Sequence, residues 1–176
     1  GSAFVNYDLY VGNGNGNTGK GDKNQSKAKG AKLSFVFPAL DHFELGASYY
    51  IDPKDSSAGD KELVANGIHG KFRKGPVTLQ LEKATGDYDD VKVREGYYAQ
   101  LRYDWDDYVF GVRHDYYDKD LTAATEQGKT QNSVFVNYRA NSNITLKVEY
   151  HAIDFDDNAN DSFGKTIVSI VGYLGN

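Results

Sequence analysis

Cysteine and methionine are both missing from this 176-residue sequence, and proline occurs only three times. Without cysteine there are no disulfides and no thiolate-bound metal, and the redox compartment stays open. Long hydrophobic runs are missing as well. No stretch approaches the ~18 apolar residues that a membrane-crossing helix needs, in keeping with a mean hydropathy of -0.63. Nor is there a basic excess: 20 Lys and Arg stand against 25 Asp and Glu, a net charge of -5, which argues against a nucleic-acid partner. The chain begins Gly-Ser and carries no secretory leader, so it reads as a mature, trimmed or tagged product. What it has in quantity is tyrosine (14), phenylalanine (9) and glycine (19). That composition suits an all-β fold, and the length suits one domain over 1–176.

The most informative stretch is Gly96 to Asp118. Every second residue from Tyr97 gives Tyr97, Ala99, Leu101, Tyr103 and Trp105, while Tyr98, Gln100, Arg102 and Asp104 lie between. After Asp106-Asp107 the alternation resumes as Tyr108, Phe110, Val112, His114 and Tyr116. Successive side chains of a strand point to opposite faces, so this is a hairpin with one apolar and one charged face. Each arm has about ten residues, enough for a tilted strand to cross a bilayer, and aromatics stand at both ends of its apolar face. His114 interrupts that face and is tolerable only near an interface.

The same alternation recurs about ten times. Strands are expected at Ala3–Val11, Ala31–Phe37, His42–Asp52, Glu62–Arg73 and Val77–Thr85, then in the two arms above, and at Gln131–Arg139, Asn143–Ile153 and Phe163–Leu174. Connections alternate between short turns and long polar loops, among them Gly12–Gly30, Gly86–Arg94 and Lys119–Thr130. All three prolines fall at or beside connections, where a missing N–H does no harm. The expected fold is therefore an antiparallel up-and-down transmembrane β-barrel with short periplasmic turns and long extracellular loops. A soluble sandwich or lipocalin-like barrel also alternates, but it turns its apolar face inward and has no reason to repeat aromatics at both ends of that face.

If the polar face lines the interior, the candidate pore-lining residues are Lys32, Glu44, His69, Lys71, Glu82, Arg102, Arg113, Lys147 and Glu149. Both signs occur on neighbouring strands, with Glu82 expected beside Gln100 and Arg102. Opposed charges across a wet wall set up a transverse field that tunes ion preference, whereas in a tight barrel they pair and close the bore.

Three segments carry a resemblance: YDLYVGNGNGN at Tyr7–Asn17, KLSFVFPALDHFELGASYY at Lys32–Tyr50 and NITLKVEYHAIDFDDN at Asn143–Asn158. They resemble Gram-negative outer-membrane porins of the general and phosphate-selective type. The resemblance implies a barrel in the bacterial outer membrane, in contact with lipid and lipopolysaccharide, passing ions or small hydrophilic solutes, as a monomer or a homo-oligomer. Such porins have about sixteen to eighteen strands, so ten would make either the C-terminal part of a longer barrel or a reduced, self-contained one. The alternative is a non-conducting barrel with a structural or adhesive role through the loops at Gly12–Gly30 and Lys119–Thr130.

No catalytic, cofactor or metal site is expected. His114 and Asp115 are adjacent and so point to opposite faces. His151 and Asp154 have no serine or second acid placed with them. The Asp154–Lys165 loop departs from a calcium loop at Ala159 and Lys165, its sixth and twelfth positions. The acidic groups at Asp87, Asp89, Asp90 and at Asp118, Asp120 read as solvated loop tips, with cation bridging to lipopolysaccharide as the alternative. GNGNGN at Gly12 lacks the strand and helix of a nucleotide loop.

Overall fold

A computed structural model describes residues 2–12, 27–53, 62–88, 92–123, 128–156 and 162–172. Ten strands follow one another: β1 (Phe4–Gly12), β2 (Ala28–Phe37), β3 (Phe43–Asp52), β4 (Leu63–Lys74), β5 (Val77–Tyr88), β6 (Lys92–Trp105), β7 (Tyr108–Asp118), β8 (Gly128–Asn141), β9 (Ile144–Phe155) and β10 (Phe163–Gly172). Each pairs antiparallel with the next, giving one ten-stranded up-and-down sheet in sequence order. Apart from a three-residue 3-10 turn at Pro38–Leu40, the described residues contain no helix, and none long and apolar enough to cross a membrane. That has no bearing on crossing by strands.

The strands arise where expected, and several run further. Gly86, Asp87 and Tyr88 extend β5 and Lys92 to Arg94 extend β6, so the expected loop Gly86–Arg94 is mostly paired strand, with Tyr88 opposite Lys92. Thr85, Val93 and Tyr88 keep the backbone extended beyond the apolar belt, which is all the sequence pattern registers. The loop residues 13–26, Asp89, Asp90 and the core of the Asp154–Lys165 loop lie outside the described residues, as do Tyr173 and Leu174.

The short turns show why the chain reverses where it does. Gly75 sits at φ +55 in the turn between Lys74 and Val77, a left-handed conformation that costs a residue with Cβ about 1–2 kcal/mol. Asp106 (φ 49) takes the same region between Trp105 and Tyr108, as Asp41 and His42 do after Leu40. Aspartate tolerates this region better than most because its short polar side chain bonds locally.

Register fixes which side chains share a face and how the strands are staggered. One ladder row runs Glu44, Lys71, Gln80, Gln100, Arg113, Ser133, His151. Glu44 is one residue from the turn end of its strand, Gln80 three, Arg113 five and His151 seven. The turns therefore step by one residue per strand. With a rise of ~3.3 Å per residue and strands ~4.8 Å apart, that stagger tilts the strands by about 35° when the turns are level.

The sheet curves toward its polar face. Glycines apart, the few buried residues are Ala28, Ser34, Asp52, Thr78, Val109, Ser133 and Ile153, with Asp118 besides; register puts all of these but Asp118 on the face that carries Arg102 and Lys147. Among the described residues no element covers either face, so these side chains are shielded by one another, as on a wall that bends toward its polar side. Along β9 the odd residues Lys147, Glu149 and His151 are half-buried while Ile144, Leu146, Val148 and Tyr150 between them are exposed. Glycines make room for the bulk on this inner side. A Cβ on Gly111 would stand 2.1 Å from the Phe135 ring, which lies across it from the opposite position on β8.

β1 and β10 are the edges of the sheet, and no pairing joins them among the described residues. Their outward residues are correspondingly bare: Leu9 is 74% exposed and Val168 73%, against 47% for Leu101 and 39% for Leu146 inside the sheet.

Two substitutions test this account. Gly75→Ala should lower stability by about 1 kcal/mol through backbone strain alone, because nothing lies within 4 Å of the added methyl. Gly111→Ala should cost about 1–3 kcal/mol by forcing Phe135 off its seat. Equilibrium urea unfolding of detergent-folded protein measures both, and a Phe135→Ala background should abolish the second effect but leave the first.

Candidate functional site: a two-faced wall

The nine residues singled out from the sequence share one face. Lys32 pairs in register with Asp8 and Ser48, Glu44 with Lys71, and His69 with Glu82. Arg102 stands opposite Thr78, Arg113 opposite Gln100, and Lys147 and Glu149 follow on β9. One neighbour relation differs from expectation. Glu82 lies opposite Tyr98, and Gln80 rather than Glu82 is opposite Gln100. Counting back from the Lys74–Val77 turn places Glu82 one ladder step above the Gln100 row, a shift that alternation alone does not reveal.

The register gathers these side chains into three groups. In the first, Ser34 Oγ lies 3.1 Å and Glu44 Oε1 3.4 Å from His69 Nε2. In the second, the Arg113 guanidinium lies 4.0 Å over the Tyr98 ring, and its Nε donates to Asp115 Oδ1 at 2.7 Å; Glu82 hydrogen-bonds the Tyr98 side chain. In the third, Asp104 accepts from Arg102 at 2.9 Å and from Arg139 at 3.1 Å. His151 joins the row through Ser133 Oγ at 2.7 Å and Gln131 Nε2 at 3.2 Å, with Glu149 at 3.4 Å. Between the second and third groups lies a polar recess of about 420 Å³, bordered by Arg102, Arg113, Asp115, Asn137, Glu149 and His151. Arg102 Nε, Asp115 Oδ2 and Asn137 Oδ1 have no hydrogen-bond partner there among the described residues, so the recess keeps capacity to bind solvent or solute.

Tyr98, Asp104, Asp115, Ser133 and Arg139 are the members that a list of mid-strand charges omits. A legible signal exists for three of them. Arg102 with Asp104, and Arg113 with Asp115, are two apart on one strand and so share a face; Tyr98 is in the same phase as Arg102. Arg139 requires knowledge that β8 follows β7 in space. His114 emerges on the other face as expected, its Nδ1 2.8 Å from Asn132 Oδ1 and its ring 6.2 Å from Tyr97. Asp118 and Asp120 organise their own loop: Asp118 Oδ1 accepts from the Asp120 N–H and Asp120 Oδ1 from the Thr122 hydroxyl. Among the described residues no group of three or more His, Asp or Glu side chains could hold a metal ion.

The opposite face is apolar and bare. Leu33, Phe35, Leu45, Ile68, Leu81, Leu101 and Val112 are all exposed, as are Val134, Val136, Leu146 and Val148. The accessible surface of 11971 Å² compares with about 8,500 Å² for a compact globule of this mass. Aromatic rings mark two levels on this face. At the turn end, Trp105, Tyr108, Phe110 and Tyr138 form a cluster with centroids 4.9 Å to 6.5 Å apart. Toward the loops, Tyr97 stacks on Tyr116 at 5.2 Å. Eight residues separate Tyr97 from Trp105, which is ~26 Å along the strand and roughly 22 Å along the barrel axis at the tilt above. The charges on this face stand toward its two ends: Lys83 and Glu95, paired at 2.8 Å, at the level of Tyr97 and one step beyond it, with Lys29, Asp87, Asp118 and Asp154 at the loop ends of their strands and Lys74 at a turn.

Comparison with known proteins returned no matching family model, no matching curated protein and no matching solved structure.

The Arg113–Asp115 pair is partly exposed, so its coupling should be modest: a double-mutant cycle with Arg113→Gln and Asp115→Asn should give about 0.5–1 kcal/mol by denaturant unfolding. Additive single effects would show that the two side chains do not meet.

Proposed function

We propose that this protein is an outer-membrane β-barrel of porin type, through which ions or small hydrophilic solutes diffuse along the polar wall without catalysis. Lys32, Glu44, His69, Lys71, Glu82, Arg102, Arg113, Lys147 and Glu149 line that path. The observation that carries the reading is the inverted burial of the sheet: Glu44, His69, Arg102, Arg113, Lys147 and Glu149 are half-sheltered on the polar side, where Lys32, Lys71 and Glu82 are exposed, and large apolar side chains stand bare on the other. In water the exposed belt would drive aggregation or collapse. Against lipid it is the surface of lowest cost, and the two aromatic levels match a band ~25 Å tall flanked by interfacial girdles.

A bilayer leaves no backbone polar group unpaired, so the free edges of β1 and β10 become part of a continuous ladder before the sheet enters hydrocarbon. The bare outward residues of those two strands are the surface that such pairing covers. The short turns then face the periplasm and the long connections the exterior, with lipid and lipopolysaccharide around the belt. The groups around Asp104 and Asp115 hold arginines flat against the wall, which keeps the bore wet instead of bridged.

Planar-bilayer recording tests this directly. Protein refolded in detergent and added to one chamber should give discrete, stable conductance steps. Silent membranes, with the protein nevertheless inserted and protease-protected, would replace diffusion with the structural or adhesive role.

A further inference from the structure

The charges of the polar wall are mostly positive. Two carboxylates on that wall are paired with cations, Asp104 with Arg102 and Arg139 and Asp115 with Arg113, whereas Glu82 meets the neutral Tyr98 and Glu44 and Glu149 lie 3.4 Å from His69 and His151. Asp52 has a partner too, and Asp8 stands opposite Lys32. The lysines differ. Lys32, Lys71, Lys129, Lys147 and Lys165 all fall on the polar face by register, and none has an ion-pair partner among the described residues. Asp104, shared by two arginines, leaves a further positive charge uncompensated. Basic side chains thus outnumber acidic ones on this wall although the chain as a whole carries a net charge of -5.

From this asymmetry we infer that the path prefers anions: small inorganic anions and carboxylates pass more readily than cations of the same size. The inference rests on the diffusion reading above and specifies its solute class. Each free ammonium is a mobile point charge on a four-carbon stem that reaches from the wall toward the axis. A bore whose walls lie within a Debye length of about 8–10 Å leaves those charges poorly screened, so they raise the local anion concentration. The lysines occur on β2, β4, β8, β9 and β10, so their field surrounds the path and is not confined to one constriction. The arginines held by carboxylates contribute positioning donors for a planar anion at the recess bordered by Arg102 and Arg113.

The test is the reversal potential of the inserted protein under a potassium chloride gradient. Chloride should be favoured over potassium by about threefold or more. The double variant Lys71→Gln/Lys147→Gln should at least halve that ratio, whereas Lys74→Gln, exposed at a turn, should leave it unchanged. A conducting pore that favours potassium, or a ratio indifferent to the double variant, overturns the anion preference and leaves the diffusion reading standing. Absence of any conductance overturns both.

Discussion

The structure depends on which side of a single curved sheet is sheltered. Among the described residues ten strands pair only with their sequence neighbours, and no second layer forms. A sheet with one apolar face must bury that face against something. Here the sheltered residues lie on the polar face, and the apolar face is left bare. Arg102, Arg113, Lys147 and Glu149 shelter among small residues such as Ser133, Thr78 and Gly111, while Leu101, Val112 and Leu146 stand clear of any protein contact layer. On the proposed reading the surrounding medium supplies the burial that the described residues do not.

Two features turn that inversion into a wall of defined height. The regular one-residue stagger of the ladder sets strand tilt, and tilt together with the eight-residue spacing between aromatic levels sets the thickness of the apolar belt. Close packing on the inner side depends on pairs such as Phe135 over Gly111, which let a large ring lie along the wall. Salt links between side chains two apart on a strand do the same for arginine. Both devices keep bulk flat against the polar face, and under the proposed function they leave the lysines of that face to dominate what a solute meets.

The strands and their two faces were legible in the sequence, because a period of two is the one signal that a two-faced strand cannot hide. The phase of Tyr97, Leu101, Tyr103 and Trp105 against Gln100 and Arg102 fixed both faces of β6, and Asp106-Asp107 and Lys74-Gly75 marked turns. Strand ends were less legible. Gly86 and Asp87 read as loop by composition, yet they pair with Arg94 and Val93. Cross-strand partners were the hardest to foresee, since they depend on ladder register: Glu82 meets Tyr98 and not Arg102, and Arg139 reaches Asp104 from two strands away. Alternation tells which face a side chain takes, and only the turn geometry tells at what height it stands.

The most direct test of the inverted wall is to measure what each face touches. The chain has no native cysteine, so single cysteines introduced in turn from Ala99 to Asp104 can each carry a nitroxide spin label in lipid vesicles. Collision rates should alternate, with oxygen favoured at 99, 101 and 103 and a water-soluble nickel chelate favoured at 100, 102 and 104. The opposite phase, or equal access at all six positions, would contradict the account.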